Sequence, residues 1–316
     1  MARTRYAPDR GLTVRMTATM FLLGLVFVAF VALIIGIMTA AHASAASIVL
    51  IALIFGGGSA FISLFYSDKI ALATAGARVV SPREAPELHG IVDRLCALAD
   101  MEKPKVAIAP TSLPNAFATG RSSKHAVLCV TQGMLQRLDR NELEGVLAHE
   151  MSHVAHKDVQ VMTYASLLAI VAGLLVRFAF YSELFGGGRR NNDQNSFPVI
   201  LVIMAVSALV YAISFLLIRL LSRYRELAAD RIAALLTGQP SALKSALIKV
   251  TGDMGRIPAQ DLRAAEPLNT FFFAPAINLR SKQASLSTIF STHPSLDKRI
   301  EQLDKIQRQL GQVSPE

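Results

Sequence analysis

The 316-residue chain contains no tryptophan and only two cysteines. Cys96 and Cys129 form no CxxC or metal-type spacing, which excludes a cysteine-built zinc module and a disulfide-stapled scaffold. Both read as small buried apolar residues. Charge is also scarce. Asp, Glu, Lys and Arg make up 17% of the chain while 52% is hydrophobic, too apolar for an ordinary soluble domain. What charge there is leans basic, 32 Lys and Arg against 23 Asp and Glu, for a net +9. In so apolar a chain that excess fits an anionic membrane surface better than nucleic acid, and no nucleic-acid partner is expected. No internal repeat is visible.

Not one Asp, Glu, Lys or Arg falls between Met16 and Ser67. A bilayer needs about 20 apolar residues per helical crossing, so the run holds two, near 17–40 and 47–66, around the short turn "AHASAA". The first is too long for a signal peptide and the second follows at once, so both are expected to be retained. A tail of residues 1–15 precedes them, with Arg3, Arg5, Arg10 and Arg15 against Asp9; by the positive-inside rule it is cytoplasmic. Two crossings then return the chain to the cytoplasm. A second hydrophobic pair covers 161–221. Arg177 interrupts its first half, "SFPVILVIMAVSALVYAISFLLI" is the cleaner half, near 198–218, and the Gly-rich "SELFGGGRRNNDQN" joins them. A buried core hairpin is the other reading of this pair. The expected order is therefore a basic tail (1–15), a transmembrane hairpin (16–66), a cytoplasmic part (67–160), the second hairpin (161–221) and a second cytoplasmic part (222–316).

Within the cytoplasmic parts, residues 82–100 fit an amphipathic helix with proline early. Residues 105–110, "KVAIAP", and 126–131, "AVLCVT", read as short strands. "SLPNAFATGRSSKH" between them is rich in turn residues.

Residues 139–158, "DRNELEGVLAHEMSHVAHKD", carry the chemistry. Asp139 with Glu142 three later resembles a capping box, and Leu143, Val146 and Leu147 give an apolar face. His149 and His153 are four apart and share a helical face, with Glu150 beside them. This is H-E-x-x-H, in which two histidines grip a zinc ion and the glutamate is the general base. The bland reading is a solvated helix with two histidines. The metzincin continuation is absent, since His156 stands where it needs glycine and Val159 where it needs histidine. His156 is also about 10 Å along the axis from His149, so one rigid helix cannot bring it to the same ion. It reads as a second-layer or surface residue. A third ligand must come from elsewhere. In "SRYRELAADRIAALL", residues 222–236, Glu226 can complete a His-His-Glu set. Asp230, four later, can take the free ring N–H of a ligand histidine. An ordinary charged helix with Glu–Arg pairs explains the same residues.

"VLAHEMSHVAHKD", then two hydrophobic segments, then "SRYRELAADRIAA" resembles the HtpX family of membrane-bound zinc metalloproteases, relatives of the CAAX prenyl proteases. "FYSDKIALATAGARVVSPREAPELHGIVDRL", "PNAFATGR" and "STHPSLDKRIEQL" agree, so the resemblance runs over nearly the whole chain. It implies a mainly α membrane protein of about four transmembrane helices with a cytoplasmic α+β, zincin-like (gluzincin-type) metalloprotease domain in the bacterial plasma (inner) membrane. It implies one zinc per chain, held by His149, His153 and Glu226, with Glu150 catalytic. Asn115-Ala116 matches a pair that lies along the substrate backbone. His293-Pro294 with Arg299 matches a motif that could stabilise an oxyanion, although Ser295 also reads as a helix cap after Pro294. The resemblance assigns His156 no role. The implied work is stress-response quality control, cleaving misfolded or damaged membrane proteins, together with self-cleavage.

The strand near "AVLCVT" is expected to hold an extended substrate by strand addition. A catalytically inactive membrane scaffold or chaperone that keeps the fold is the alternative, and the intact Glu150 argues against it. Transport is a third class, poorly supported because the spans lack charged clusters.

Overall fold

The computed structural model describes residues 10–40, 58–120, 123–156, 158–185, 196–254 and 293–312. A four-stranded mixed sheet places the chemistry. Its strands are β1 (Arg78–Val79), β2 (Lys105–Ala109), β3 (Ala116–Thr119) and β4 (Val127–Thr131), in the order β1-β2-β4-β3. β4 runs parallel to β2 and antiparallel to β3, pairing Lys105 with Val127 and Phe117 with Cys129. Side chains alternate across the two faces. Val106, Leu128 and Val130 join one buried cluster, and Ala107, Ala109, Val127 and Cys129 join another with Phe117 and Ala71.

The pairing corrects the expected substrate strand. β4, the "AVLCVT" strand, is hydrogen-bonded on both sides and has no free edge to offer. The edge strand paired with it is β3, inside the stretch read as turn-rich linker. Four residues are too few to show a clear alternation. Gly120 ends the strand at φ 127°, where an added Cβ would run into the His125 carbonyl.

The helices are α1 (Arg10–Ala40), α2 (Gly58–Thr74), α3 (Pro86–Ala99), α4 (Gln132–Arg137), α5 (Arg140–Ala155), α6 (Asp158–Phe185), α7 (Ser196–Thr237), α8 (Pro240–Met254) and α9 (Leu296–Gln312). By contacts the chain forms two units. One comprises Met1–Thr13, Leu64–Gln160 and Ser222–Glu316; its core joins the sheet to Leu88, Ile91 and Leu95 of α3, Val146, Leu147 and Met151 of α5, Leu243 and Leu247 of α8, and Leu303 and Ile306 of α9. The other comprises Val14–Ser63 and Val161–Leu221, and packs Leu23 and Phe30 of α1 with Ala165 and Ala172 of α6 and Ile203 and Leu221 of α7.

Among the described residues two helices are long and apolar enough to cross a membrane, over Gly11–Ile34 and Leu201–Thr237. Charged residues return to α7 from Arg219 onward, so we place the membrane part of this helix before that point. The crossing expected at 47–66 lies partly outside the described residues, and α2 accounts for its second half. α6 passes the same test only when taken together with α5. α5 itself buries Glu142, Glu144, His149 and Glu150 in the first unit, so it is not read as a span.

Candidate metal centre

α5 begins with the capping box foreseen from sequence. The Asp139 side chain accepts from the N–H groups of Asn141 and Glu142, and the Glu142 carboxylate accepts from Asp139 N at 3.0 Å. Glu142 is buried, and it is satisfied by Ser245 Oγ at 2.6 Å and Lys249 Nζ at 2.7 Å from α8. The start of the helix is thus fixed, and with it the direction in which His149, Glu150 and His153 project about two and a half to three and a half turns later.

The Nε2 atoms of His149 and His153 lie 3.3 Å apart. Glu226, from α7, brings Oε2 to 3.6 Å from His149 Nε2 and Oε1 to 3.5 Å from His153 Nε2. Among the described residues these three are a group that could hold a metal ion. A tetrahedral ion with bonds of about 2.0–2.2 Å spaces its ligand atoms about 3.3–3.6 Å apart; the two Nε2 atoms stand at that spacing, and Glu226 turns one carboxylate oxygen toward each of them.

The other ring nitrogens carry a second argument. His153 Nδ1 donates to Asp158 Oδ2 at 2.6 Å. His149 Nδ1 lies 2.9 Å from Asp230 Oδ1. A carboxylate repels a lone pair, so each Nδ1 carries its proton and each Nε2 of a neutral ring points a lone pair at the other. Two lone pairs at 3.3 Å beside a carboxylate leave a place for a positive charge, a metal ion or a proton. The surroundings favour that charge: burial lowers the His153 pKa, but hydrogen bonds to Asp158 and Glu226 outweigh it and lift it to about 10. The residues therefore fit a divalent metal with nitrogen and oxygen donors.

Glu150 is buried and makes no edge of this triangle. Its Oε2 accepts from the backbone N–H of Ala118 at 3.2 Å, on edge strand β3. Burial chiefly raises its pKa, Glu226 adds to that, and the histidines and the Ala118 N–H oppose it. Asn115 and Ala116 stand at the start of the same strand; Asn115 N–H donates to Thr131 Oγ1 at 2.9 Å, and Asn115 is buried.

His293 comes to the centre through Nδ1, 3.0 Å from Glu226 Oε2. Arg299 reaches the same centre. Its Nε and Nη2 grip both oxygens of Asp230, at 2.7 and 2.6 Å, and the residue is 2% exposed. The guanidinium so supports the carboxylate beside His149, and its Nη1 lies 3.9 Å from Glu226 Oε2. His156 is exposed, caps the end of α5 and places Nδ1 2.8 Å from the Ser152 carbonyl, outside the ligand group.

Sequence reasoning missed Asp158, Arg225 and the Ala118 N–H. Asp158 lies in the first turn of α6 and accepts from both His153 and Arg225 Nη2, the latter at 2.6 Å. A signal existed: a second ligand histidine also needs a partner for its other nitrogen, and Asp158 is the first carboxylate after His153.

A profile of peptidase family M48 matches residues 82–307. The chain is 56% identical over 311 residues to "Protease HtpX homolog 1" of Streptomyces coelicolor, covering 98% of each chain. The chain belongs to peptidase family M48, among the HtpX proteases. Another relative in the family, "Protease HtpX homolog 2" of Methanosarcina mazei, is 47% identical over 309 residues, covering 98% of this chain and all (100%) of that one. The crystal structure of S. mikatae Ste24p shares the fold at a TM-score of 0.53 and 18% identity, covering 92% of this chain and 67% of that one. Membership makes the chain a peptidase of a metallopeptidase family, and the two apolar helices among the described residues mark it as a membrane protein.

Proposed function

We propose that the chain is a zinc endopeptidase that cleaves misfolded or damaged membrane proteins at the cytoplasmic face of a bacterial plasma membrane, and that it also cleaves itself. The observation that carries this reading is the triangle of His149, His153 and Glu226 with Glu150 beside it, tied to the edge of the sheet. Zinc suits the donor set; at such a site it supplies Lewis acidity, polarising a carbonyl and lowering the pKa of a water.

The chain's own residues do the rest. An extended substrate adds to β3, the edge strand beside Glu150, through backbone hydrogen bonds. Such binding reads backbone more than side chains, which suits a broad quality-control protease. In the antiparallel ladder alternate residues turn their N–H and C=O outward. Ala118 turns its N–H away from β4 to Glu150, so Ala116 faces outward too. Glu150 takes a proton from the attacking water and passes it to the leaving amine. His293, hydrogen-bonded to Glu226, is the candidate to stabilise the developing oxyanion.

Purified protein should contain one zinc per chain and cleave casein. A strong chelator should abolish cleavage, and added zinc should restore it. Zinc binding without cleavage would instead favour the inactive scaffold, and no stoichiometric metal would remove both readings.

The topology proposed is four crossings with residues 1–15, 67–160 and 222–316 in the cytoplasm. Its test uses introduced cysteines at Ala43 and Ser122, and in the Gly186–Gly188 loop, all outside the described residues. The native thiols give little background, because both are buried and burial pushes Cys129 to about 12 and raises Cys96; it is the thiolate that reacts. In intact cells the Ala43 site should label from outside and the Ser122 site should not. The Gly186–Gly188 loop should label only if the second pair crosses. The reverse pattern at Ala43 and Ser122 overturns the orientation.

A further inference from the structure

Three chain segments meet behind His153. Asp158 Oδ2 sits 2.6 Å from His153 Nδ1 and 2.6 Å from Arg225 Nη2. All three are largely buried, with side-chain exposures of 8% for Asp158, 10% for Arg225 and 15% for His153. The arrangement repeats the one behind His149, where Asp230 faces the ring and Arg299 grips Asp230. Each metal-facing histidine is therefore backed by a carboxylate, and each carboxylate by an arginine.

We propose that Arg225 and Asp158 form a positioning pair that locks His153 to Glu226 across the metal centre. The inference rests on the metal-site reading above. Asp158 alone would fix the tautomer and tilt of the His153 ring. Arg225 adds a tether. It is the residue before Glu226 on α7, so its grip on Asp158 ties the segment bearing the third ligand to the segment bearing the second. A buried ion pair of this kind holds its geometry because parting it strands a charge away from water. Neither residue touches the metal or the substrate, so the pair acts through His153 and Glu226.

The test measures zinc affinity of the purified full-length chain by competition with a chromophoric chelator. It also records the visible spectrum of the cobalt-substituted chain. Asp158→Asn and Arg225→Gln should each weaken zinc about 10–100-fold and shift the cobalt bands, a signature of altered ligand geometry that general destabilisation does not produce. The double variant should lose little more than Asp158→Asn alone, because Arg225 works through Asp158. Arg225→Lys, which keeps the charge and loses the fork, should fall between wild type and Arg225→Gln. It also serves in place of Arg225→Gln if that variant does not fold. Wild-type affinity and spectrum in the arginine variants overturn the proposal while leaving the metal site intact. Losses that simply add in the double variant also overturn it. Failure of the wild-type chain to bind zinc overturns the metal-site reading itself, and this proposal with it.

Discussion

Glu150→Gln should lower peptide cleavage at least about a hundredfold, the usual scale for losing a general base, and leave bound zinc unchanged. The substitution is close to isosteric. The side-chain oxygen that remains can still accept the Ala118 N–H, so strand β3 and helix α5 keep their contact. Glu150 supplies none of the three converging ligand atoms, so the metal has no reason to leave. What the amide cannot do is take a proton from water. That loss is confined to the transition state, so it should appear in kcat with KM little changed. Steady-state cleavage of a fluorogenic peptide, read beside zinc per chain on the same sample, separates the possibilities. Near-normal turnover with zinc bound places the base elsewhere. Loss of zinc would put Glu150 among the ligands.

How much of this was legible beforehand depends on the range of the interaction that fixes each feature. The capping box at Asp139 and Glu142 is local, and the spacing gave it away. His149 and His153 share a face because helical periodicity puts them there. The strands at 105–110 and 126–131 announced themselves by apolar β-formers, and the observed strands agree to within a residue at either end. β3 did not. Ala116–Thr119 is short, flanked by turn residues, and becomes a strand only by pairing with β4, a tertiary override of a weak local preference. The orientation of Arg299 was equally hidden. A motif places an arginine near a site but does not say which carboxylate its fork will face, and here the buried Asp230 on α7 takes it. Asp158 and Arg225 belong to the same class: a contact across many residues of chain, visible only once α5, α6 and α7 are in place.

Glu226→Ala should strip most of the zinc, and His156→Ala should leave it near stoichiometric. His149, His153 and His156 are close in sequence, and a third histidine seven residues after the first is a tempting ligand. Geometry separates them. Glu226 stands 3.6 Å and 3.5 Å from the two Nε2 atoms, while His156 is exposed at the end of α5 and turns Nδ1 back to the Ser152 carbonyl. Removing Glu226 deletes one of three protein ligands and the negative charge that balances a divalent ion, leaving a two-histidine site. Its loss also removes the contact of His293 Nδ1 with Glu226 Oε2. Removing His156 deletes a helix-end contact with no bearing on the triangle. Both variants should be purified, dialysed against a mild chelator and assayed for zinc per chain. A His156→Ala protein that empties while Glu226→Ala stays loaded would show that the third ligand has been assigned to the wrong helix.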